Sequence, residues 1–96
     1  MNIQIELIGF PVIYDLFPAG PHPYSLSGNT LLHLVNDLIA RHDSRMKEAL
    51  LDSGAGALDP TIQIRINQTW IPREKIPEQK LEEGDRVTFM KLLAGG

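Results

Sequence analysis

Arg86-Val87-Thr88-Phe89-Met90-Lys91-Leu92-Leu93-Ala94-Gly95-Gly96 decides how the chain reads, because an alternating apolar strand runs without a break into two glycines. Val87 and Phe89 stand two apart, so both point to one face, where a core can hold them. Met90 and Leu92 then fall on the other face. With the strand anchored, Ala94, Gly95 and Gly96 project from it, which predicts a flexible tail over 93–96 on a single domain spanning 1–96. The competing reading is that termini fray and the glycines are incidental.

A second alternating segment lies at the opposite end of the chain. Ile3, Ile5 and Leu7 alternate with Asn2, Gln4 and Glu6, the period-two pattern of a strand with one buried face. From Gly9 to Gly28 the chain carries four prolines, whose missing amide donors interrupt pairing, and only Tyr24–Leu26 reads as a short edge strand. Leu31, Leu34, Val35, Leu38 and Ile39 then recur at helical spacing, predicting one main helix over about 30–42 with Asn29 as N-cap. Met46, Ala49 and Leu50 extend the helical pattern by a turn or two, and Ser53-Gly-Ala-Gly-Ala57 stops it. Ile62, Ile64 and Ile66 alternate in a third strand, Asn67-Gln68 makes a turn, Trp70-Ile71 pairs back, and Leu81–Asp85 turns into the final strand. One amphipathic helix over one mixed sheet satisfies both periodicities, with the two terminal strands adjacent in the middle and the tail emerging at an edge. The expected class is α+β, a ubiquitin-like β-grasp roll.

Composition narrows the function. The 12 acidic residues outnumber the 9 basic ones, giving a net charge of −3, and no basic stripe forms, so nucleic acid is not an expected partner. Cysteine is absent, which removes thiolate nucleophiles and sulfur-ligated metals. No apolar run approaches the roughly 20 residues of a spanning helix, and no signal-peptide pattern precedes the first strand; the expectation is a cytoplasmic protein without membrane contact.

Most of the chain, and most specifically Ile64 to Gly96, resembles the ThiS/MoaD family of ubiquitin-like sulfur carriers. The resemblance is carried by Ile66-Asn67-Gln68, Ile71-Pro72-Arg73-Glu74, Leu81 with Gly84-Asp85, Phe89, and the Ala94-Gly95-Gly96 ending. The Ile-Pro-Arg-Glu stretch and the Ala-Gly-Gly ending are similar to thiamine-pathway carriers. Chain length and the long loop after the helix resemble the molybdopterin-pathway carriers, although Phe89 is followed by Met90-Lys91-Leu92 where those often carry Phe-Pro-Pro. The resemblance implies that the Gly96 carboxylate is adenylated by a ubiquitin-activating-type adenylyltransferase and converted to a thiocarboxylate. A sulfur donor and a sulfur-accepting synthase subunit would complete the set of partners. The protein would then be a co-substrate, not an enzyme, with no cofactor of its own.

The residues fit such a division of labour. Activating a carboxylate takes ATP chemistry, and the chain carries no Gly-x-x-x-x-Gly-Lys-Ser/Thr loop to hold it. Gly95 and Gly96 lack Cβ atoms and can enter a narrow channel. Met90, Leu92 and Trp70 are candidate anchors for a partner, the alternative for Met90 and Leu92 being burial beneath the Pro-rich loop. His33 and Asp37 read as a solvated polar pair one turn apart. Asp52, Asp59, Glu82, Glu83 and Asp85 read as solvated turns, the last three also able to steer a basic partner. A ubiquitin-like modifier joined to other proteins through Gly96, and a non-covalent interaction module, are the competing functions.

Overall fold

The computed structural model describes residues 1–52 and 57–92. Its single sheet contains β1 (Asn2–Ile8), β2 (His22–Ser25), β3 (Ile62–Ile66), β4 (Thr69–Trp70) and β5 (Arg86–Lys91), in the order β2-β1-β5-β3-β4. β1 and β5 run parallel, with Ile5 opposite Val87 and Leu7 opposite Phe89, and every other pairing is antiparallel. The segment read first in the sequence is therefore the middle strand. The ubiquitin-like β-grasp architecture expected from the two terminal strands is the one observed.

Alternation dictates which face is covered. Ile3, Ile5, Leu7, Ile62, Ile64, Ile66, Val87 and Phe89 are all buried on one face, beneath α1 (Leu31–Arg41), whose Leu31, Leu34, Val35 and Leu38 are buried in turn. Removing this apolar surface from water is the main driving force for the fold. The helix starts one residue later than the sequence suggests, and the cap differs. Thr30, not Asn29, holds the N-cap, and its hydroxyl accepts the His33 amide. Asn29 instead gives its carbonyl to the Leu81 amide, a tertiary contact that no local pattern encodes.

The second helical segment is a separate helix, α2 (Ser44–Leu50), because His42 is extended and Asp43 caps a new start through the Arg45 amide. Met46, Ala49 and Leu50 are buried as their spacing predicts. The Pro-rich segment supplies more of the core than its composition suggests: Phe10, Ile13 and Phe17 are buried, with a 3₁₀ turn at Pro11–Ile13. β2 includes Pro23, which a lateral edge strand tolerates because no neighbour needs its amide. A second 3₁₀ helix, Arg73–Glu78, follows β4.

Candidate functional site

The tail root is the point where β5 ends. The predicted tail residues Ala94, Gly95 and Gly96 lie outside the described residues, so the site consists of what holds Lys91 and Leu92 and what surrounds them. As expected of a terminal strand in the middle of the sheet, β5 runs out between β1 and β3. On the β1 side, Gly9 turns the chain away with φ +85°, and a Cβ built there would lie 2.8 Å from the Lys91 carbonyl oxygen. Only glycine allows both that backbone angle and that approach. On the β3 side, the Leu92 amide donates to the Thr61 carbonyl at 2.9 Å.

Thr61 is itself held by Asp59. One carboxylate oxygen of Asp59 accepts both the Thr61 amide (2.8 Å) and the Thr61 hydroxyl (2.7 Å), while the other lies 3.6 Å from the Lys91 ammonium. Hydrogen bonds from Thr61, with Lys91 adding a smaller attraction, hold the Asp59 carboxyl below the usual carboxylate range. Arg73 donates to the backbone carbonyls of Leu58 and Asp59, tying this loop to the residues after β4. Asp59, expected to be a solvated turn, is thus the hub of the tail root. Its spacing to Thr61, an acidic side chain two residues before a hydroxyl, is the local signal for such a turn.

The acidic turn leads into β5, as its residues predict. Glu83 accepts the Asn2 amide, and Asp85 accepts the Glu82 amide and the Asn67 side chain, so this cluster organises the opposite end of the sheet from the tail. Asn67 adopts φ +56°, as its turn position predicts, and its side-chain oxygen accepts the Arg86 amide. His33 and Asp37 do not pair with each other. His33 Nδ1 accepts the Asn29 amide, and Asp37 accepts the Tyr24 hydroxyl (2.5 Å) and Arg41 (3.0 Å). Burial first, then the bond to Asp37, pushes the Tyr24 phenol well above its ordinary range. Among the described residues, no group of three or more metal-ligating side chains converges, and no helix is long and apolar enough to cross a membrane.

The second part of the site is the uncovered face of the sheet. Register places Ile8, Met90 and Gln63 in one row across β1, β5 and β3, and Glu6, Thr88, Arg65 and Trp70 in the next row, ending on β4. Trp70 is 46% exposed, Leu92 47% and Ile8 39%, while Met90 is half-buried between Ile8 and Gln63. Ile8 was not singled out in the sequence, because its partnership with Met90 exists only through the parallel β1–β5 pairing. A groove lined by Pro60, Gln63, Trp70, Ile71, Pro72 and Arg73 connects Trp70 with the loop at the tail root.

Residues 23–96 match the ThiS family. The chain belongs to that family. This ThiS-family chain is 30% identical over 97 residues to the sulfur carrier protein CysO of Mycobacterium tuberculosis and of Mycobacterium bovis, covering all of both chains. Its fold is similar to that of SAMP1 from Haloferax volcanii, with a TM-score of 0.74 and 13% identity over the whole of both chains. The small archaeal modifier protein SAMP1 from Methanosarcina acetivorans matches with a TM-score of 0.75 and 20% identity, over 99% of this chain and 96% of that one. At these identities the structural likenesses establish the ubiquitin-like fold alone. The family match begins at residue 23 and so includes the Ile71-Pro72-Arg73-Glu74 stretch and the diglycine ending.

Proposed function

We propose that the protein is a sulfur carrier whose C-terminal Gly96 carboxylate is the working group and whose chemistry is supplied by partner enzymes. The observation that carries this reading is the tail root: a central strand held by Gly9, Thr61 and Asp59, leading into Leu93-Ala94-Gly95-Gly96. A fixed root keeps the position of the reacting end referenced to the domain that a partner grips, which is the entropic requirement for directed attack. In the first step a carboxylate oxygen of Gly96 attacks the α-phosphorus of ATP on the adenylyltransferase and pyrophosphate leaves. In the second, a sulfide-level sulfur nucleophile adds to the acyl carbon and AMP leaves, giving the thiocarboxylate. Trp70, Met90 and Leu92, joined by Ile8, form the apolar surface that the adenylyltransferase covers. The full-length likeness to the sulfur carrier protein CysO supports the carrier reading.

Intact-mass measurement after incubation with ATP, the activating enzyme and a sulfur donor tests the reading. The expected gain is the mass difference between sulfur and oxygen, lost when Gly96 is deleted. An unchanged mass with the source organism's adenylyltransferases refutes it, and recovery of lysines joined to Gly96 replaces the carrier with a protein modifier.

A further inference from the structure

The uncovered face of the sheet carries the opposite sign of charge from the chain as a whole. Its inward-facing counterparts are apolar, whereas the strand residues on this side include Arg65 and Arg86 as cations and Glu6 as the anion. Two arginines against one glutamate leave this face positive on a protein of net charge −3. Glu6 is moreover engaged locally, since its carboxylate accepts the Thr88 hydroxyl at 3.3 Å, and Thr88 is fully buried between Glu6 and Arg65 in the register.

Arg65 combines the lack of an ion-pair partner among the described residues with a buried, unmet donor. Among the described residues its guanidinium lies within ion-pair distance of no carboxylate, and its Nε is buried and donates to no acceptor. The guanidinium instead stands over the Trp70 ring, with Cζ 5.3 Å from the ring centroid. Stacking an arginine on an indole stabilises the cation and fixes its plane but satisfies none of its N–H donors. A buried donor left unsatisfied is costly, so holding Arg65 in this position works against the stability of the isolated domain.

We infer that Arg65, seated on Trp70, is a docking point for an aspartate or glutamate side chain of the partner protein that covers this face. A carboxylate approaching from solvent meets a guanidinium already held over the indole, which suits a charge-assisted bond and limits the entropy lost on binding. Met90 and Trp70, on the strands either side of Arg65, add apolar surface that excludes water from the pair and strengthens it. Arg86, on the same face but nearer the acidic turn, attracts the same acidic partner surface at longer range. This inference rests on the reading of the protein as a carrier adenylated by a partner.

Arg65→Met, Arg65→Lys and Trp70→Ala measured in ATP–pyrophosphate exchange with the adenylyltransferase of the source organism test it. Arg65→Met is expected to raise the KM for the carrier by roughly ten-fold or more, the scale of losing one member of a buried charge pair, and to flatten the dependence of KM on ionic strength. Arg65→Lys recovers only part of the loss, because an ammonium neither stacks nor presents two parallel donors. The Arg65→Met urea midpoint is expected to equal or exceed that of the wild type, which separates docking from a structural role. Trp70→Ala combined with Arg65→Met is expected to be no worse than the more damaging single change. A wild-type KM and an unaltered salt dependence in Arg65→Met, with the wild-type carrier fully adenylated, overturn the docking point and leave the carrier reading in place. Failure of the wild-type protein itself to be adenylated overturns both.

Discussion

Gly9→Ala and Gly84→Ala are the same chemical change at nearly the same backbone angle, φ +85° and +86°, in two different surroundings. A Cβ at Gly84 meets nothing within 4 Å, whereas at Gly9 it lies 2.8 Å from the Lys91 carbonyl oxygen, in a structure where ordinary contact starts at 3.4 Å. The positive-φ strain of an L-residue, about 1–2 kcal/mol, applies to both. It is partly offset by the reduced freedom of the unfolded chain, about 0.4–1 kcal/mol, so Gly84→Ala is expected to cost about 1 kcal/mol. Gly9→Ala carries an added overpacking term of about 1–3 kcal/mol, because the atom in the way belongs to backbone paired inside the sheet and cannot rotate aside. Urea unfolding gives the two stabilities, and the difference between the variants isolates the steric part. Amide chemical shifts give the location: in Gly9→Ala the largest changes outside the mutated loop are expected at Lys91 and Leu92. If the two variants agree within about 0.5 kcal/mol, the usual limit for surface substitutions without a special mechanism, or if Leu92 is unmoved, then Gly9 does not set the tail root.

Asp59→Ala removes the acceptor for both Thr61 donors and the counter-charge of Lys91, and is expected to cost about 2 kcal/mol and to speed hydrogen exchange at the Leu92 amide; Asp59→Asn keeps an acceptor and is expected to cost about half as much. Because the folded-state pKa of Asp59 is lowered, its contribution is present above the ordinary carboxylate pKa and is lost as pH falls through the folded value, so the wild-type advantage over Asp59→Asn narrows below about pH 4. At the start of α1, Thr30→Ala is expected to cost about 1 kcal/mol by loss of the cap, while Asn29→Ala stays within about 0.5 kcal/mol; thermal unfolding of the pair distinguishes the two assignments.

The outward placement of the apolar row is legible because strands obey a two-residue repeat. Trp70, Met90 and Leu92 could be named from alternation and chain position, and the uncovered face does carry Trp70 and Met90. The roles of Asp59 and Arg73 at the tail root have no local signature, because their partners, Lys91 and the Leu58 and Asp59 carbonyls, are brought to them by the fold. Ile8 has none for the same reason: parallel pairing puts it opposite Met90, 82 residues away in the chain. The Pro-rich segment misled in another way. Prolines forbid regular pairing but not burial, so Phe10, Ile13 and Phe17 enter the core from a stretch, residues 10–17, that contains no strand.

The sequence by itself determined the two terminal strands, the face of each that is buried, the main helix and the diglycine ending, since side-chain periodicity follows directly from backbone geometry. Only the tertiary structure decided that Thr30 caps the helix, that Gly9 and Asp59 hold the end of β5, and that Arg65 stands on Trp70 with a buried donor unmet. Local pattern records which face a residue points to, but pairing across strands and loops depends on register between distant segments, and that is fixed when the core closes.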